Sequence, residues 1–129
     1  MTRNKYIAFG LTVLLVPGTF SIAQESHPQT ETAHTRLIIS FNSPGDGIDY
    51  KVKKQIDEYI SSYERHKRVR LAKTTRHWGR EGELYCCFTL SELSRDDQEQ
   101  FVSRIQSLVK TSTRTLIVEN APCRNKGPS

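Results

Sequence analysis

The sequence predicts a single α+β domain of two layers, a sheet backed by helices. Three observations carry this. The chain has 129 residues, within the ~100 to 200 of one domain and too short for two independent cores. Its apolar fraction of 36% and aromatic fraction of 9% are too low for a multi-span membrane protein and too high for a chain disordered throughout. Its hydrophobic pattern alternates between a period of two and a period of three to four, which marks strands interleaved with helices.

Residues 1–23 read as a secretory signal. Arg3 and Lys5 supply the positive start, an apolar stretch runs from Tyr6 to Phe20, and Ser21 and Ala23 place small residues where a signal peptidase reads. Cleavage is expected after Ala23. Gly10, Pro17 and Gly18 interrupt the apolar run, whereas spanning a bilayer takes ~20 apolar residues. No stable membrane anchor is therefore expected after cleavage, and no Cys lies nearby to carry a lipid. The protein is expected to be exported, periplasmic or secreted, and discounting Arg3 and Lys5 lowers its formal charge of +5 by two.

Residues 24–35 hold no large apolar side chain and include Pro28, so they read as a flexible leader. The folded domain is expected over residues 36–123. Leu37, Ile38, Ile39 and Phe41 form a first strand, ended by the turn formers Ser43-Pro44-Gly45-Asp46-Gly47. From Ile48 the apolar positions Val52, Ile56, Tyr59, Ile60 and Tyr63 recur at steps of three and four, the signature of an amphipathic helix. Asp49 is its expected N-cap, and Arg65, Lys67 and Arg68 gather where the helix dipole prefers cations.

A weaker strand is expected from Val69 to Trp78. The hairpin Gly79-Arg80-Glu81-Gly82 then leads into a strong strand, Leu84 to Leu90. Ser94, with Asp97 three residues on, caps a second helix whose apolar face is Phe101, Val102, Ile105, Leu108 and Val109. Thr115 to Glu119 supplies a last strand, and residues 124–129 form a loose polar tail.

The order strand, helix, strand, strand, helix, strand resembles the ferredoxin-like sandwich, βαββαβ, with a four-stranded antiparallel sheet in order 4-1-3-2 and two helices on one face. This likeness is to a fold, and a fold carries no function. The loop after the first strand lacks the Cys-x-x-Cys of metallochaperones and the Arg of an acylphosphatase cradle. The Gly and basic pattern of RNA-recognition domains is also missing, so no nucleic acid is expected as a partner.

Three cysteines follow the signal. Cys86 shares its strand face with Leu84 and Phe88, the core side, while Cys87 lies on the opposite face. Residues 120–123 span up to ~13 Å, enough to cross from the last strand over the first. A Cys87–Cys123 disulfide is expected, with Cys86–Cys123 as the competitor and a vicinal Cys86–Cys87 ring disfavoured in a regular strand. His27, His34, His66 and His77 show no metal-ligand spacing. Neither a metal nor any cofactor is expected, and no catalytic residue is assigned.

The most uneven stretch runs from Arg65 to Arg80, with Arg65, Lys67, Arg68, Arg70, Lys73, Arg76 and Arg80 and no acid. Such a run contacts an anionic ligand or an acidic protein surface, or else protects a sheet edge against pairing with another chain. The candidate binding residues are Arg68, Arg70, Arg76, His77, Trp78 and Arg80, with Trp78 either the aromatic anchor or folded back and packed on the domain. The loop from Ser43 to Gly47 is a further anion cradle in principle, although Asp46 and Asp49 already place negative charge there. Three readings result: a non-enzymatic binding module with an unidentified partner, a small hydrolytic or thiol enzyme pairing His77 with a Cys, or a module that docks through an apolar patch on the uncovered sheet face.

Overall fold

The computed structural model describes residues 34–127. The predicted signal segment, the leader before His34 and the last two tail residues lie outside the described residues. Six elements follow in the expected order: β1 (Leu37–Phe41), α1 (Tyr50–Lys67), β2 (Lys73–His77), β3 (Leu84–Phe88), α2 (Arg95–Val109) and β4 (Thr115–Glu119). The strands form one antiparallel sheet of four in the order β2-β3-β1-β4, the ferredoxin-like order read from the other edge.

Strand alternation decides the layers. Leu37, Ile39 and Phe41 of β1 and Leu84, Cys86 and Phe88 of β3 face the helices. There they pack with Val52, Ile56 and Ile60 of α1 and Phe101, Val102, Ile105 and Val109 of α2. Phe101 sits at the aromatic centre, its ring centroid 5.0 Å from Tyr63, 5.5 Å from Tyr59 and 6.1 Å from Phe88. Burying each such side chain contributes roughly 1.5–3 kcal/mol.

Both helix starts are capped as the sequence predicts. Ser94 Oγ accepts the Asp97 N–H at 3.2 Å. The Asp49 carboxylate accepts the Val52 N–H at 3.0 Å and the Ser112 hydroxyl at 2.8 Å, and these bonds hold its pKa below the ordinary 3.8. A carboxylate held ionised by the fold contributes fully above its ordinary pKa and loses that contribution as the pH falls through the lowered folded value. Asp49→Ala is expected to cost about 1 kcal/mol at neutral pH. Urea unfolding of both proteins should show that difference shrinking as the pH drops below about 4.

Element boundaries depart from the sequence expectation in two places. β2 begins at Lys73 rather than Val69, because the preceding amides are taken by side chains instead of a ladder. The Leu71 N–H bonds the Glu64 carboxylate at 2.8 Å, and the Ala72 N–H bonds the Glu92 carboxylate at 3.0 Å. Leu71 then drops into the core, 5% exposed. β3 stops at Phe88 because Leu90 turns the chain with a φ of 56° while keeping its side chain buried. At the N-terminal side Thr35, the last residue of the predicted leader, is buried.

The sheet face away from the helices is roofed. Cys87 and Cys123 form a disulfide with a Cα–Cα distance of 5.9 Å, and Cys86 stays a buried thiol. The tethered tail packs Ala121 and Cys123, together with Trp78, against Ile38, Tyr85 and Cys87. Every residue of β1 and β3 is consequently buried, while every residue of β2 is exposed.

Candidate functional site

The residues of interest meet at β2, which stands at one edge of the sheet. Its backbone alternation follows from the hairpin. The Trp78 N–H donates to the Glu83 carbonyl at 3.2 Å, and these residues continue the β2–β3 register. Narrow hydrogen-bonded pairs alternate with wide ones in an antiparallel ladder. Arg76 and Thr74 therefore turn their amides and carbonyls toward β3. Lys73, Thr75 and His77 turn theirs outward, where no strand among the described residues meets them.

Side chains divide in the same rhythm. Thr74 and Arg76 stand opposite Cys87 and Tyr85 on the roofed face, whereas Lys73, Thr75 and His77 stand opposite Phe88, Cys86 and Leu84 on the helix side. Arg70 lines a groove of about 530 Å³ on the helix side, with Lys53 and Asp57 of α1, Ile60, Leu71 and Lys73. Arg68 is the C-cap of α1 in the left-handed conformation, with a φ of 53°, and Arg80 is exposed in the hairpin. The basic run is thus spread around the β2 edge and both faces beside it.

Its charges are available. Among the described residues, Lys67 pairs with Asp97 at 2.9 Å, whereas Arg68, Arg70, Lys73, Arg76 and Arg80 make no ion pair. The neighbouring acids are committed elsewhere: Asp57 to Lys53 at 2.6 Å and Glu64 to the Leu71 amide.

Trp78 does not stand free. It is half-buried, its ring stacked on Tyr85 at 5.8 Å between centroids. The tail lies so close over the indole that a Cβ on Gly127 would fall 2.5 Å from its Cε3. Beneath the hairpin, Glu83 is buried and accepts the Glu81 N–H at 2.8 Å. A Cβ on Gly79 would meet that carboxylate at 2.0 Å, so a larger residue there would have to displace the Glu83 side chain from beneath the turn. Sequence reading missed Glu83, because nothing local marks a carboxylate that curls back under its own turn.

The other candidates resolve differently. Ser43 Oγ accepts the Gly45 and Gly47 amides at 3.0 and 2.9 Å and donates to the Glu81 carboxylate. The loop amides thus already have an acceptor, and Asp46 pairs with Arg114 at 3.0 Å. Burial pushes the Cys86 thiol up in pKa, which disfavours the thiolate that nucleophilic chemistry requires. His77 and Cys86 share the helix side of the sheet, yet no hydrogen bond joins them among the described residues. Leu116 and Val118 of β4 remain exposed on the roofed face, at 57% and 41%. The sequence did not single them out, since all three central residues of that strand are apolar and either face was eligible.

Among the described residues, no three His, Cys, Asp or Glu side chains converge as a metal site, and no helix is long and apolar enough to cross a membrane. Compared against protein families, curated proteins and solved structures, the chain matches none of them.

Proposed function

We propose that this is an exported, non-enzymatic binding module that holds an anionic partner along β2 and the adjoining hairpin. The observation that carries the reading is an edge strand exposed on both faces, beside Arg68, Arg70, Lys73, Arg76 and Arg80, none of which makes an ion pair among the described residues. Edge protection accounts for Lys73 and Arg76 within the strand. It does not account for Arg68, Arg70 and Arg80, which lie outside it. Export is supported by the signal-like first 23 residues and by the disulfide, a bond that persists in oxidising compartments. The enzyme reading is weakened by the burial of Cys86, which raises its thiol pKa and disfavours the thiolate.

Retention of the mature protein on immobilised heparin, used as a general polyanion, tests the proposal. The double variant Arg76→Glu, Arg80→Glu is expected to bind about tenfold more weakly with a flatter salt dependence. Its unfolding free energy should stay within about 0.5 kcal/mol of wild type, as for most surface changes. Equal elution of both proteins, or a wild type that is not retained at low salt, would remove the reading.

A further inference from the structure

The reading of β2 as an anion-binding edge leaves the chemical class of the partner open, and the backbone narrows it. Lys73, Thr75 and His77 present three amides and three carbonyls outward, two residues apart, a repeat of ~6.8 Å in an antiparallel strand. Alternating donors and acceptors at that repeat are complementary to another extended polypeptide. A sulfated sugar or a lipid head group has acceptors to offer but no matching row of donors.

Charge then selects among polypeptides. Lys73 lies on the helix side of β2 with Arg70 beside the groove, where Asp57 is paired with Lys53 and Glu64 accepts the Leu71 amide, and Arg76 lies on the other side. A strand added to this edge has cations along both of its faces, so acidic side chains suit it. Ile60, Leu71 and Phe88 lie under the groove but are at most 8% exposed, so what the groove offers a partner is mainly its polar and charged rim. A second copy of this chain has no acidic residue in β2 to answer these cations: antiparallel pairing centred on Thr75 would set Lys73 against His77 and Arg76 against Thr74. The opposite edge, β4, carries no cation and ends in Glu119, which is held by Arg36 and Gln106.

We propose that the partner is an extended acidic polypeptide segment that adds to β2 as a fifth strand, hydrogen-bonded to the backbone of Lys73, Thr75 and His77. The inference rests on the anionic-partner reading above.

The probe is a blocked eight-residue peptide of alternating Glu and Val, titrated into the mature protein alongside the same peptide N-methylated at alternate residues, which keeps its charge and loses one hydrogen-bonding edge. In wild type, amide exchange at Lys73, Thr75 and His77 should slow by about tenfold or more on saturation with the unmethylated peptide. The methylated peptide should bind about tenfold more weakly. Thr75→Pro removes an outward donor and is tolerated at an edge; it should weaken the peptide by a similar factor while leaving heparin retention unchanged. The exchange measurement on wild type decides the matter even if that variant folds poorly. Equal binding of both peptides with unprotected amides, or heparin retention without peptide binding, would overturn strand addition and leave the anion reading intact. Failure of both heparin and peptide to bind would overturn both.

Discussion

Cys123→Ser is expected to lower the unfolding free energy by about 2 to 4 kcal/mol, the range for a bridge that closes a long loop. The two cysteines are 36 residues apart in sequence, and the segment between them includes α2 and β4, so the bond constrains much of the unfolded chain. It also acts in the folded state, because it holds Ala121 and Cys123 over Ile38, Tyr85 and Cys87. Chemical denaturation followed by circular dichroism measures the loss. Alkylation of unfolded, unreduced wild type should modify one thiol, Cys86. A loss under about 0.5 kcal/mol, or three modified thiols in protein from an oxidising compartment, would contradict the bridge's structural role.

The pairing was legible because it depends on local alternation. Cys86 follows the core residues Leu84 and Phe88, which leaves Cys87 on the other face for a tail long enough to reach it. Asp49 and Ser94 were legible as caps for the same kind of reason: a carboxylate or hydroxyl meets an amide three residues on. The start of β2 was not. Val69 and Leu71 carry a strand-like pattern, and what breaks the ladder is a pair of carboxylates, Glu64 and Glu92, brought in by tertiary folding. For the site, the charge run was plain in the sequence. Its division between two sheet faces, and the outward backbone of Lys73, Thr75 and His77, required the register set at the hairpin.

Trp78 shows the limit most clearly, since its surroundings come from the far end of the chain. A bulky aromatic in a basic hairpin reads as a binding anchor, yet Tyr85 lies against its ring and Gly127 over it. Trp78→Ala is therefore expected to cost about 2 kcal/mol of stability, roughly half the usual figure for a fully buried aromatic because the residue is half-buried. Heparin retention should be unchanged, since the cations of the β2 edge remain. The tail links this effect to the disulfide. Once Cys123→Ser frees the tail, Gly127 is no longer held over the indole, and Trp78→Ala should then cost about 1 kcal/mol less than in the bridged protein. Circular dichroism suits the four-protein cycle, because Trp78 is the sole tryptophan and fluorescence would vanish with it. Additive losses would mean that the ring and the bridge stabilise the roof independently. Lost retention at unchanged stability would place the indole at the binding surface instead of beneath the tail.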